Sequence, residues 1–276
     1  MLDELQENAA RFLAAAREAG RPGERLPEAW RPADHDAALA IQRRVGELLG
    51  QQTGGWKCSL PSPARPIIAA TILAPTIVSG PRCTVVAVGD TARVEPEVAF
   101  ILGRDLPRRG KPYSDAEIVA AIAETRLVLE LLGSRYADTA SPTWEEMIAD
   151  SLQNQGLVIG PLVPGGLDAA LESMVVVVRG PCGILSTHDG RHGDGHPLRP
   201  LCWLANFLAQ RDEGLHAGQV VTTGSYAGAI EVPLSQPLAV AFGGLGSISV
   251  ELIPFTQCAV PLIGVGPKVE ENRRLR

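Results

Sequence analysis

Aromatic side chains are scarce in this 276-residue chain, with Phe, Trp and Tyr making up 4% of it. Its core must therefore be aliphatic, and a hydrophobic content of 45% is ordinary for a globular protein with a large core. Cysteine is rare as well. The five thiols (Cys58, Cys83, Cys182, Cys202 and Cys258) are an odd number without CxxC spacing, which argues against a disulfide framework and a thiolate zinc site. No window approaches the ~20 apolar residues of a membrane span. The acidic, amphipathic start MLDELQENAARFLAAAREAG lacks the charged-then-apolar order of a signal peptide. Basic runs are limited to the short end Arg273-Arg274-Leu275-Arg276, and the formal net charge is -6. A broad nucleic-acid-binding face is thereby disfavoured. The expectation is a cytoplasmic protein with reduced thiols and neither a membrane nor a nucleic-acid partner.

Leucines and alanines at helical spacing predict a helix over Leu2 to Ala19, broken by the prolines of RPGERLPEAWRPAD. Asp34 can cap a second helix that ends at Gly50. WKCSL is then a short strand. CTVVAV, RVEPEVAFIL, RLVLELL, GLVIG, MVVVVRG, QVVTTGS, LAVAF and SISVEL are further β-rich runs bounded by turn residues. SDAEIVAAIAE, TWEEMIADSL and PLRPLCWLANFLAQ read as helices between them. Helices and strands do not alternate regularly, so an α+β fold is expected. Its expected parts are a helical and mixed N-terminal region over 1–80 and a β-rich catalytic domain over 81–276.

RVEPEVAFIL raises a question, because an otherwise apolar strand carries two carboxylates. Residues i and i+2 share a strand face, so Glu95 and Glu97 project side by side. Pro96 lacks a ladder donor and suggests an edge or bulge. RLVLELLG holds a third such carboxylate, Glu130. Three carboxylates without nearby His or Cys suit a hard divalent ion such as Mg²⁺ or Mn²⁺. The competing reading puts Glu95 and Glu97 in solvent on an edge strand and Glu130 in an ion pair.

Lys57, in GGWKCSL, is open to two readings: a buried general acid/base, or a lysine snorkelling at a strand end. THDGRHGDGHP packs three histidines and two aspartates among glycines, and reads as a flexible polar turn rather than a metal cluster. VVTTGSYAG offers hydroxyl and N–H donors that could hold a carboxylate, or is a plain turn. GLGSISVEL precedes a strand and no helix, so it is not a nucleotide loop.

AALAIQRRVGELL, GGWKCSL, RVEPEVAFILGRDLP, LVLELLGSRY, DSLQNQGLVIG, HPLRPLCWLANFLAQ, LHAGQVVTTGS and FGGLGSISVEL follow one another through almost the whole chain. In that order they resemble the 2-keto-4-pentenoate hydratases and 4-oxalocrotonate decarboxylases of the fumarylacetoacetate hydrolase superfamily. The resemblance implies a mixed β-sandwich roll with a helical N-terminal region. It also implies Mg²⁺ or Mn²⁺ held by Glu95, Glu97 and Glu130, with Lys57 as the active-site lysine. Thr223, Gly224 and Ser225 match a loop lining the substrate pocket. Asp150 is added as a substrate-contact candidate, with the choice among Asp150, Gln153 and Asn154 left open.

The activity implied is addition of water to a short 2-hydroxydienoic acid, giving a 4-hydroxy-2-oxo acid, by a homo-oligomeric enzyme of aromatic catabolism. Decarboxylation of a 4-oxalocrotonate-type acid is the alternative. An acylpyruvate C–C hydrolase ranks lower, because His35 is the only histidine before Glu95, and a non-catalytic binding protein of the same fold is a further reading. The chain departs from the family pattern in four places. Gly133 stands where an Asp is usual, DSLQNQ replaces a DNAS-like segment, CSLPS follows the lysine, and ARPIIAATI replaces an acid-bearing lid segment.

Overall fold

The computed structural model describes residues 2–255 except Val88 and Asp212. Cys258 and the arginines at 273, 274 and 276 lie outside the described residues.

Helix α1 (Glu4–Ala19) starts where the Asp3 carboxylate accepts from the Gln6 N–H and the Gln6 side chain accepts from the Asp3 N–H. It stops at Gly20, whose φ of 59° favours glycine. Its buried stripe of Ala9, Ala10, Leu13 and Ala14 faces α2 (His35–Leu48), which Asp34 caps. Gln42 is buried in α2, and both ends of its amide are used. Nε2 donates to the Ile148 carbonyl at 2.6 Å, and Oε1 accepts from the Thr71 N–H at 2.9 Å.

The strands and remaining helices begin with β1 (Thr53–Cys58), β2 (Ala69–Leu73), β3 (Ile77–Val78), β4 (Arg82–Val85) and β5 (Thr91–Leu102). Next come α3 (Asp115–Val119), β6 (Ile122–Leu132), α4 (Trp144–Ala149), β7 (Asn154–Leu162), β8 (Ser173–Gly180) and β9 (Gly183–Arg191). The chain closes with α5 (Leu198–Ala209), β10 (Val220–Thr222), β11 (Ile230–Pro233), β12 (Pro237–Phe242) and β13 (Ser247–Pro254).

Two mixed sheets result, giving the α+β class expected. One runs β2-β1-β10-β5-β6-β7-β3, with β11 also paired to β5; the other runs β4-β13-β12-β8-β9. At one end of the first order, β2 also contacts β7 near the other end, so this sheet is rolled. Three strands of the rolled sheet, β1, β2 and β3, come from the first 80 residues; the purely helical part ends before residue 53. Among the described residues no helix is long and apolar enough to cross a membrane.

Several expected elements change in the structure. The helix read over SDAEIVAAIAE ends at Val119, because Ile122 and Glu124 pair with Leu102 and Ile101 of β5. The second half of ARPIIAATI is strand: Ala69–Leu73 is buried and paired with β1, whereas Ala64, Arg65 and Pro66 are exposed. Half of the histidine-rich turn is strand β9, with His188 opposite Val176. Pro96 marks neither an edge nor a bulge. β5 is internal, and no register shift occurs at Pro96. A residue's N–H and C=O point to the same flank of a strand. The Pro96 carbonyl accepts from Tyr226 N at 3.1 Å, on the flank where β11 pairs only with 91–94 and β10 only with 99–101. The missing donor therefore falls in a gap between strands and costs no ladder bond.

Candidate active site

The rolled sheet places the three glutamates. Glu95 and Glu97 share a face of β5, and Glu130 of β6 is the register partner of Glu95. Side chains opposite one another on antiparallel strands start about 4.5–5.5 Å apart at Cβ. One oxygen from each of the three carboxylates lies within 4.8 Å of the others. Farther along the same face, Ala99 and Val128 join Ile72, Leu157 and Val220 in a small apolar cluster that closes the site on that side.

Burial separates this cluster from ordinary surface acids. Glu97 is 2% exposed and Glu130 is fully buried. The solvent-facing edge-strand reading therefore fails for Glu97. Lys57 reaches the group from β1, with Nζ 2.6 Å from Glu130 Oε1 and 3.9 Å from Glu95 Oε2. Nζ also donates to the Leu152 carbonyl at 3.4 Å. Lys57 is thus no snorkelling strand end.

One cation among three carboxylates leaves an excess of negative charge. Burial, and then the charges of Glu130 and Glu95, push the Glu97 carboxyl up to about 8. Burial also raises the Glu130 carboxyl, against the pull of Lys57. For Lys57 burial acts downward, but Glu130, Glu95 and Glu97 outweigh it and leave the ammonium above its usual value. Burial lifts the neighbouring Cys58 thiol well above its normal range, so no thiolate nucleophile is present there.

The donor set also tests whether a hard cation fits. All three groups offer oxygen, and Glu130 Oε2 is buried without a hydrogen-bond partner among the described residues. An orphaned buried carboxylate oxygen beside two other carboxylates is what a missing cation leaves behind. The residues present fit a divalent ion.

Two elements orient the glutamates. Thr222 of β10, the register partner of Lys57, donates its hydroxyl to Glu97 Oε2, and the Gly224 N–H donates to the same oxygen at 2.9 Å. Asn154 Nδ2 donates to Glu130 Oε1 at 2.9 Å. Of the loop residues expected, Gly224 therefore reaches the site through its backbone. The Thr223 hydroxyl donates instead to the Val98 carbonyl, and the Ser225 hydroxyl to the Pro96 and Gly228 carbonyls. Asp150 is buried, and both of its carboxylate oxygens accept from Arg135.

The sequence offered Thr222 among several hydroxyl donors and left Asn154 as one of three options, while the Leu152 carbonyl escaped it. In VVTTGS both doublets fit either face, so alternation gives no preference for Thr222 over Thr223. The histidine-rich segment also contributes. Asp194 accepts from Ser59 Oγ at 2.8 Å and from Leu60 N at 2.9 Å, anchoring the chain just after Lys57. His192 is buried edge-on to Tyr226, with ring centroids 5.4 Å apart, behind the Gly224 loop. His35, the histidine weighed for a hydrolase, sits 3.4 Å from Glu145. Gly133 lies against the Gln155 side chain. A Cβ at 133 would come within 2.7 Å of the Gln155 amide, which bonds Val86 and the Leu132 carbonyl.

No family model matches the chain. It is 28% identical over 267 residues to a 2-keto-4-pentenoate hydratase of Paraburkholderia xenovorans (strain LB400), covering 91% of this chain and 96% of the relative. A 4-oxalocrotonate decarboxylase of Pseudomonas putida is 27% identical over 161 residues, 58% of this chain and 60% of that one. Among solved structures, a 4-oxalocrotonate decarboxylase from Pseudomonas putida G7, complexed with magnesium and adipate, superposes with a TM-score of 0.75. That match has 22% identity and covers 92% of this chain and 99% of the other. The chain is thus similar in sequence to 2-keto-4-pentenoate hydratases and 4-oxalocrotonate decarboxylases, and it shares the fold of a solved 4-oxalocrotonate decarboxylase.

Proposed function

We propose that the chain is a divalent-metal-dependent lyase that adds water to a short 2-hydroxydienoic acid and releases a 4-hydroxy-2-oxo acid. The observation that carries this reading is the Lys57 ammonium, 2.6 Å from Glu130 inside a trio of carboxylates with one orphaned oxygen. Glu95, Glu97 and Glu130 would hold Mg²⁺ or Mn²⁺. The bound ion would supply a Lewis acid for the carboxylate and 2-oxygen of the substrate.

The chain's own groups account for the rest. Thr222 and Gly224 fix Glu97, and Asn154 fixes Glu130, so the carboxylates need little reorganisation to bind. Lys57 Nζ, held as an ammonium, is the group placed to give a proton to the carbon chain and, as the amine so formed, to take that of the 2-hydroxyl, as the dienol becomes the 2-oxo-enoic acid. Water then adds at C4 while C3 gains a proton, which balances the hydration. The Gly224 loop, with the Thr223 and Ser225 backbone beside it, would border the substrate. Asp150 takes its place as a support of that site rather than a substrate contact.

Decarboxylation remains the second reading, favoured by the fit to a decarboxylase structure along almost its whole length. Both reactions need the same carboxylates and lysine. We extend the proposal to a cytoplasmic protein, and to a homo-oligomer, the latter supported by edge strand β9, which exposes Ile184 and Leu185. The test is an assay of metal-stripped protein with 2-hydroxypenta-2,4-dienoate and with 4-oxalocrotonate, with and without Mg²⁺ or Mn²⁺. Water addition identified by product mass supports hydration, and CO₂ loss supports decarboxylation. Turnover indifferent to metal would refute both.

A further inference from the structure

Between α4 and β7 the chain makes a turn that ordinary residues avoid. Ser151, Leu152 and Gln153 have φ of 50°, 49° and 65°, three consecutive left-handed residues without a glycine. Left-handed backbone is disfavoured for any residue that carries a Cβ. Such strain persists only where surrounding structure over-determines it, and it gathers at functional sites. This turn carries two groups of the candidate site: the Leu152 carbonyl that accepts from Lys57, and Asn154, which donates to Glu130.

One side chain grips both ends of the turn. Arg135 is 5% exposed, in the segment just after β6. Its Nε donates to Asp150 Oδ1 and its backbone N–H to Asp150 Oδ2 at 3.0 Å. One terminal nitrogen donates to the Asp150 carbonyl, and the other to the Asn154 carbonyl at 2.8 Å. Asp150 and Asn154 bracket the three left-handed residues. A planar guanidinium can make this set of bonds, whereas a single ammonium cannot.

We propose that Arg135 is a positioning residue of the metal centre: by clamping Asp150 and the Asn154 carbonyl, it holds the left-handed turn that aims Asn154 at Glu130 and the Leu152 carbonyl at Lys57. The inference rests on the metal-dependent reading above. Arg135 touches none of the three glutamates among the bonds described, and acts through the turn.

Arg135→Gln and Arg135→Lys test it, with folding checked by circular dichroism and thermal melting. Mn²⁺ affinity of metal-stripped protein is read by electron paramagnetic resonance, and kcat and KM by turnover of the dienoate at saturating Mn²⁺. Loss of an outer-shell partner commonly costs ~10–100-fold in metal affinity or activity. Folded R135Q should bind Mn²⁺ at least ~10-fold more weakly than wild type. It should also lose kcat more than it raises KM, and R135K should recover part of both.

Mn²⁺ affinity within twofold of wild type in folded R135Q, or an activity loss that merely tracks the unfolded fraction, would overturn the proposal. Should R135Q not fold, Asp150→Asn, which keeps the guanidinium bonds to both carbonyls, is held to the same affinity criterion. Wild-type protein that binds no Mn²⁺ would overturn both this proposal and the functional reading. Wild-type binding with unaltered variants would overturn this one alone.

Discussion

Glu95 and Glu130 stand directly opposite each other on adjacent antiparallel strands, a position where like charges destabilise a sheet. Lys57 relieves part of that repulsion at 2.6 Å from Glu130 and 3.9 Å from Glu95. Glu97, two residues along, adds a third carboxylate that this lysine cannot balance. The arrangement sacrifices stability for a site, and its consequences can be measured.

Replacing Lys57 by Ala removes the proton carrier and leaves the carboxylates. Turnover should fall by about 10²–10⁴-fold, the usual contribution of a positioned acid/base. Mn²⁺ affinity should hold or rise, because a competing cation has gone. Isothermal titration of K57A beside wild type checks the separation, and equal losses of binding and turnover would contradict it.

Glu97→Gln should behave in the opposite way. The Glu97 carboxyl is raised to about 8, so near neutral pH the metal-free protein already favours its uncharged form. E97Q should therefore melt no lower than metal-free wild type, and higher above pH 8, while losing the rise in Tm that Mn²⁺ gives wild type. A melt with and without Mn²⁺ at pH 7 and pH 9 reads both effects.

The same shift gives a sign for pH. A carboxyl raised from its ordinary ~4.3 to about 8 binds its proton more tightly in the folded state than in the unfolded chain. Its favourable contribution is complete below pH ~4 and is lost as pH rises through about 8, at up to about 1.4 kcal/mol per pH unit. Metal-free protein should thus lose stability from pH 5 to pH 8, while excess Mn²⁺ flattens the trend. Binding Mn²⁺ at pH 7 should release protons, which titrations in buffers of different ionisation enthalpy would count.

Gln42 is a structural counterpart. Its buried amide joins α2 to the Thr71 N–H of β2 and to the Ile148 carbonyl of α4. Gln42→Ala leaves both backbone groups unpaired, at about 1–3 kcal/mol each. A urea melt should show a loss of about 2–6 kcal/mol in all, and folded Q42A should bind Mn²⁺ as wild type does.

The acid pair of β5 was legible in the sequence because strand periodicity alone puts Glu95 and Glu97 on one face, and an apolar run implies burial. Glu130 and Lys57 were legible as misplaced charges in apolar strands. Thr222 was legible only as one of several possible donors, because the doublets in VVTTGS fit either face, and its particular role follows from pairing with Lys57 across more than 160 residues of chain. The left-handed turn at 151–153 was hidden more deeply. Local propensity reads TWEEMIADSL as continuous helix, whereas the reversed turn is bonded at both ends by Arg135, which β6 brings in from elsewhere in the chain. The second half of ARPIIAATI was hidden for a similar reason: it is a buried strand whose partner is β1. Pro96 misled because a proline signals an edge only when a neighbour needs its N–H.

The most direct test of the central claim is a crystal of the protein soaked in Mn²⁺ and measured for anomalous scattering. A single strong peak should lie among Glu95, Glu97 and Glu130, about 2.0–2.6 Å from an oxygen of each, with Glu130 Oε2 no longer unpartnered. An empty carboxylate cluster under saturating Mn²⁺, with Lys57 still seated on Glu130, would contradict it.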